Sequence, residues 1–260
     1  MRGRTASILG LLGRLGNFIG PFLAGAAIQA GGLRAIFALQ VAFGIASAAC
    51  TALFLPHVRA DQSLDGKPRA AAKGPGPSMG GVLKEHKLIL AKVGLFSMCL
   101  QILRRARQLF FALCGEALQV EDSMIQYITG VSFMIDAAFF QVAGWILDRK
   151  GRVPAGALSA SILTLSMLLL PGNSLAFLQA FAVVSGVGNG LSAGLVITIG
   201  ADLAPRDARG PFLALYRMFA NVSEVVAPLG VGTVAHLLSL QQSELACAGV
   251  GVVGTIWLLL

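Results

Sequence analysis

Arg104, Arg107 and Asp136 are ionisable side chains embedded in long apolar runs, where a charge persists only beside a partner or water. Arg104 and Arg107 are three residues apart and share one face of a helix. Counted from Gly94, where their run begins, both lie ~15–20 Å deep at 1.5 Å per residue. Asp136, counted from Ser123 at the opposite boundary, lies at a similar ~20 Å. The three are expected to form an ion pair or water-bridged network, with Arg105 snorkelling or meeting another helix. A second polar stripe runs through Arg217, Asn221, Glu224 and Pro228, spaced by four, three and four. A carboxylate held away from water can exchange protons, so Asp136 and Glu224 are the candidate proton carriers. Asn189 offers a polar contact to a solute. Glu116, near the end of its run, is a further coupling candidate. For the two charged sets the competing expectation is a structural lock between packed helices, for the Asn189 region it is helix packing, and for Glu116 it is a reach to the lipid headgroups.

Such groups require crossing helices to hold them. Of 260 residues, 56% are hydrophobic and 12% charged, with a mean hydropathy of +0.77. That charge fraction is about half of what a soluble domain carries, so the expected solvent is lipid. Eight candidate spans emerge near the ~20 residues a bilayer demands: 6–29, 34–56, 94–118, 123–147, 154–171, 174–203, 211–239 and 244–260. The 94–118 span is interrupted by three arginines, and an amphipathic surface helix is its alternative. Residues 57–93, rich in Gly, Pro, Ala and Lys, read as a flexible linker ending in an interfacial helix near Val82–Lys92.

Orientation follows from charge. The beginning of the chain, the linker, the loop at 149–152 and the Arg206 and Arg209 loop hold fourteen of the twenty Lys and Arg residues. The positive-inside rule places these segments in the cytoplasm. A net charge of +8 spread over connections does not describe a nucleic-acid-binding face. Cys50, Cys99, Cys114 and Cys247 lie in apolar runs as small hydrophobes. His57, His86 and His236 are scattered, and neither a metal site nor a nucleophile constellation is visible. No enzyme activity and no cofactor are expected.

Two further patterns join these readings. Residues 144–152 read Gly144-Trp-Ile-Leu-Asp148-Arg149-Lys150-Gly151-Arg152, a basic turn between two apolar runs. Residues from Arg2 through Pro21 to Gly25 align without gaps on those from Arg209 through Pro228 to Gly232, pairing Arg14 with Asn221 and Asn17 with Glu224. Repeated halves are common in transporters. Gly186, Gly190 and Gly194, spaced by four, permit close helix approach.

The pattern G-x-x-x-D-[RK]-x-G-[RK] at 144–152 resembles the signature loop of the major facilitator superfamily of secondary transporters. Gly16, Gly20, Pro21 and Gly25 resemble its fifth-helix motif, associated with antiporter-type exporters, with Ala24 replacing one glycine. The resemblance implies an all-α, polytopic membrane bundle of about eight transmembrane helices, matching helices five to twelve of a twelve-helix pattern. It implies a two-helix remnant at 1–56, a cytoplasmic linker at 57–93 and a six-helix half at 94–260. It further implies alternating-access transport of a small organic solute, with proton-coupled export. The implied partners are the solute, protons, the bilayer, and missing N-terminal helices or a partner chain supplying them. Gly16, Gly20 and Pro21 would pack and bend their helix. Asp148 would latch a cytoplasmic gate by meeting the first span near Arg2–Ser7. The alternative is a truncated, non-transporting membrane protein acting as an interaction partner or remnant.

Overall fold

The computed structural model describes residues 2–54, 78–192 and 194–260, with side chains from 13–53 in the first of these segments. Its helices are α1 (Arg2–Phe54), α2 (Met79–Ala117), α3 (Asp122–Lys150), α4 (Arg152–Met167), α5 (Leu175–Leu191), α6 (Leu195–Leu203), α7 (Arg209–Leu237) and α8 (Leu240–Leu259). A short 3-10 turn at Leu170–Gly172 is the remaining regular element among the described residues. The fold class is the expected one, an all-α polytopic bundle. Among the described residues, seven helical stretches are long and apolar enough to cross a membrane when Gly13–Leu53, and Leu175–Leu203 of α5 and α6, are each taken as one.

Backbone breaks fall where local chemistry permits them. Gly31 and Gly32 interrupt α1, and Gly32 takes φ 67°, a conformation that costs other residues a Cβ clash. That break separates the two spans expected at 6–29 and 34–56. Ser78 caps α2, its hydroxyl accepting from the Gly81 amide at 3.1 Å. At His86 (φ −109°, ψ 17°) α2 bends, so the expected interfacial segment and the 94–118 span form one continuous element. That segment packs on protein: Val82 and Leu90 are buried with Phe212 and Tyr216 of α7. The surface-helix alternative for the triple-arginine stretch fails, because Ile102, Leu103, Ala106 and Phe110 are all buried. The expected span at 174–203 is broken into α5 and α6 around Gly194, which has φ 74°.

In lipid, helices associate through fit and close approach more than through water exclusion. α1 packs on α3, α3 on α5, α2 on α7 and α8, and α4 on α5 and α8. Phe111 and Phe181 meet at 5.0 Å within a core that includes Phe110, Leu163 and Met167. Glycines set two of the approaches. A Cβ on Gly186 would stand 2.7 Å from the Ser132 carbonyl oxygen, and one on Gly190 2.7 Å from that of Asp136. Gly194 does not continue this face; it has open space around it and serves the break. On α1 the close approach is at Gly25, against Tyr127 and the Ser123 carbonyl, and Phe22 lies over Gly130. Gly16 and Gly20 have open space instead of a packed neighbour, and the helix keeps helical dihedral angles through Pro21. The packing and bending expected of Gly16, Gly20 and Pro21 therefore shift to Gly25 and to Gly31–Gly32.

Candidate functional site

On α2, Gln101, Arg104, Arg105 and Gln108 recur at the one-face spacing of a helix and line a cavity of about 450 Å³. The opposite wall is α1, through Gly13, Arg14 and Asn17. The α3–α5 approach supplies Phe133 and Asp136 from one helix and Asn189 from the other. Because Gly190 lets the α5 backbone lie against Asp136, its neighbour Asn189 reaches the carboxylate directly.

The polar groups form a chain. The Arg14 Nη1 donates to Asp136 Oδ1 at 2.5 Å, and Asn189 Nδ2 donates to Asp136 Oδ2 at 2.6 Å. Arg104 Nε donates to Asn189 Oδ1 at 2.8 Å, and its Nη1 to Gln101 Oε1 at 2.9 Å. The Asn189 amide thus gives its nitrogen to the anion and its oxygen to the cation, the one orientation that satisfies both. Asp136 is 6% exposed and Asn189 5%. The Arg14 guanidinium also lies over the Phe140 ring at 4.2 Å. Beside this chain, Arg105 forms an ion pair with Glu224 of α7.

The expected network of Arg104, Arg107 and Asp136 is thereby redrawn. Asp136 pairs with Arg14, and Arg104 reaches it only through Asn189. Arg107 is buried behind Phe133, its guanidinium 5.0 Å from that ring, with Nε and Nη2 lacking hydrogen-bond partners among the described residues. Arg105 meets another helix, one of its two expected fates. Glu224 is half-exposed and joined to the cavity only through Arg105. Arg217, Asn221 and Glu116 are exposed and lie away from the cavity. Arg14, Asn17, Gln101 and Gln108 line the cavity beyond the residues expected there from sequence. The spacing of 101, 104, 105 and 108 is the sequence signal that could have found the α2 stripe, and the repeat marks Arg14 and Asn17 as polar positions.

The turn at 144–152 is built as a tight reversal. Gly151, at φ 88° and ψ 179°, ends α3 and begins α4 at once. Arg149 stacks over Trp145 at 4.9 Å, and Arg152 Nε donates to Asp202 Oδ2 of α6 at 2.6 Å. Gly144 and Asp148 are exposed. The contact expected between Asp148 and Arg2–Ser7 falls on side chains outside the described residues, as does most of the 57–93 linker.

A second buried carboxylate stands apart from the cavity. Glu244 of α8 is 2% exposed; Cys114 Sγ donates to its Oε1 at 3.2 Å, and Oε2 has no partner among the described residues. Sequence reading passed it over because it lies near the start of an apolar run, where a reach to water is the ordinary fate.

No curated protein matches the chain. The family model of the Major Facilitator Superfamily matches residues 98–260, a stretch holding the α2 stripe, Asp136, Asn189 and the glycine-ended turn. That match spans more than half the sequence, and it joins seven membrane-length apolar helices in assigning an integral, multi-pass protein. The chain belongs to the Major Facilitator Superfamily, a family of membrane transporters and not typically of enzymes.

Proposed function

We propose that the protein is a secondary active transporter that exports a small organic solute by alternating access, coupled to protons through Asp136. One observation carries the reading: a buried carboxylate on the wall of the cavity is held at once by Arg14 of α1 and Asn189 of α5. Protonating Asp136 removes the charge that binds Arg14, so proton uptake loosens α1 from α3 while solute occupies the space between them. Deprotonation restores the pair and the closed packing. A carboxylate placed this way links proton movement to helix movement, which alternating access requires.

The turn at 144–152 is read as the cytoplasmic end of this switch, with Arg152 and Asp202 joining α4 to α6 there. The polar face of α7 also supports a larger assembly. Arg217, Asn221 and Glu224 are exposed on it, and such groups are costly against acyl chains. Further helices, of the transporter itself or of a partner chain, are read as covering them.

The test is transport in proteoliposomes under an imposed pH gradient, across a panel of radiolabelled small organic acids, bases and neutral solutes. At least one solute should move with the gradient and stop on adding a protonophore. Asp136→Asn should retain solute exchange and lose gradient-driven movement. Flux that ignores the gradient, or an Asp136→Asn protein that still concentrates solute, overturns the coupling role.

A further inference from the structure

We infer that the cavity between α1, α2 and α3 is an oxyanion site, and that the transported solute carries a carboxylate or phosphate group. The inference rests on the transport reading for the word solute alone; the site itself rests on charge and geometry. Among the described residues, three arginines, Arg14, Arg104 and Arg105, line the cavity against a single lining carboxylate, Asp136. That leaves a formal surplus of two positive charges. Glu224, which pairs with Arg105 from outside the lining, reduces the surplus to one. Arg107, buried behind Phe133, returns it to two.

The uncharged lining is compatible with this sign, because Arg104 already occupies the Asn189 and Gln101 side-chain carbonyl oxygens that could have served a cation. Its polar members are the amides Asn17, Gln101, Gln108 and Asn189, each with two N–H donors. Guanidinium groups donate only, and their fork matches a carboxylate or phosphate in two parallel bonds. Arg104 and Arg105 are adjacent on α2, yet their bonds diverge, one to Asn189 and the other to Glu224. An anion between them meets two cations already fixed in place by neighbours. A cationic solute would face the same arginines with one carboxylate, itself already engaged by Arg14 and Asn189. A cavity of about 450 Å³ lies within the roughly 300–1,000 Å³ usual for small-molecule sites.

The sign of the cavity can be read without knowing the solute. Gly13 lines it, and a Cβ there meets open space, so Gly13→Cys places a thiol at the wall; Gln108→Cys gives an independent second position. Both are made in the full chain carrying Cys50→Ser, which leaves the buried Cys99, Cys114 and Cys247. The parent Cys50→Ser protein supplies the background. Each variant, in nanodiscs, is reacted with the anionic sulfonatoethyl and the cationic trimethylammonioethyl methanethiosulfonates, with rates divided by those of free 2-mercaptoethanol. The anionic reagent should be favoured about tenfold, the low end of electrostatic focusing in a cleft. Arg104→Gln with Arg105→Gln should abolish the preference. Equal rates, or a faster cationic reagent, overturn the proposal.

Protection identifies the head group. Slowing by succinate and not by glycerol 3-phosphate assigns a carboxylate, and the reverse assigns a phosphate. Glycerol or tetramethylammonium protecting as well as either anion counts against an oxyanion site. An anion preference without gradient-driven flux keeps the site and removes the coupling, whereas gradient-driven flux with no anion preference does the opposite.

Discussion

Arg14 and Asp136, 122 residues apart in sequence, are joined by a 2.5 Å ion pair that links α1 to α3 at the cavity wall. Asp136 is nearly enclosed, while the Arg14 side chain keeps 17% exposure. Removing one partner therefore strands a buried carboxylate, whereas removing both charges strands nothing. Arg14→Gln is expected to destabilise the protein by roughly 3 kcal/mol, the lower end for a broken buried pair because Arg14 retains some exposure. Adding Asp136→Asn to that variant should recover most of the loss. Denaturant or thermal unfolding of the purified single and double variants measures the cycle, and additive losses would show that the two residues do not interact.

Gly190 and Gly194 should respond to substitution for different reasons. Gly190→Val drives a side chain into the Asp136 carbonyl and the Phe139 Cβ, with backbone on one side, so loss of well-folded, monodisperse protein is expected. Gly194→Ala meets no neighbour but must hold φ 74°, which costs about 1–2 kcal/mol for a residue with a Cβ. Size-exclusion profiles and melting curves separate the two. A Gly190→Val protein as stable as Gly194→Ala would refute the close approach.

The geometry that Gly190 sets also marks how far the sequence could be read. Apolar length marks the spans because it is a local property, and the break at Gly31–Gly32 falls between those expected at 6–29 and 34–56. Depth along a helix puts Arg104 and Asp136 near one level and both line the cavity, yet depth says nothing about rotation around the axis. Rotation is decided by packing: Phe22 over Gly130 brings α1 to α3, and Gly190 brings α5 to Asp136. Arg14 and Asn189 thereby take the two carboxylate oxygens, leaving Arg104 one residue removed. Arg107 points the same lesson in reverse, since three-residue spacing matched it to Arg104 while Phe133 separates it from the cavity. The break before α6 was illegible as a break because Gly186, Gly190 and Gly194 share one spacing and only backbone conformation tells the third apart.

Arg152 and Asp202 form a close pair, yet both side chains are nearly half exposed. Exposed pairs contribute about 0–1 kcal/mol. Arg152→Gln and Asp202→Asn should therefore each change unfolding free energy by no more than about 1 kcal/mol, and the exchanged pair Arg152→Asp with Asp202→Arg should fold normally. A large loss of stability in either single variant would mean the pair has a structural role beyond its surface geometry.

Glu244 is buried with a thiol as its one hydrogen-bond partner among the described residues. Replacing an enclosed carboxylate by a neutral group of the same shape removes a desolvation cost and keeps an acceptor for Cys114. Glu244→Gln is therefore expected to unfold at the same temperature as the parent or higher, while Glu244→Ala should be less stable through the void it leaves. A marked fall in melting temperature for Glu244→Gln would show that the negative charge itself is needed.

The interruption between α5 and α6 divides one crossing into two levers with separate tasks. The longer lever presses Asn189 against Asp136; the shorter one carries Asp202 to Arg152 at the far end. Gly194 stands between them at φ 74°, so the Asn189–Asp136 bond and the Arg152–Asp202 pair belong to separate helical segments. A change that loosens one of these attachments is therefore not passed to the other along a continuous ladder of helical hydrogen bonds.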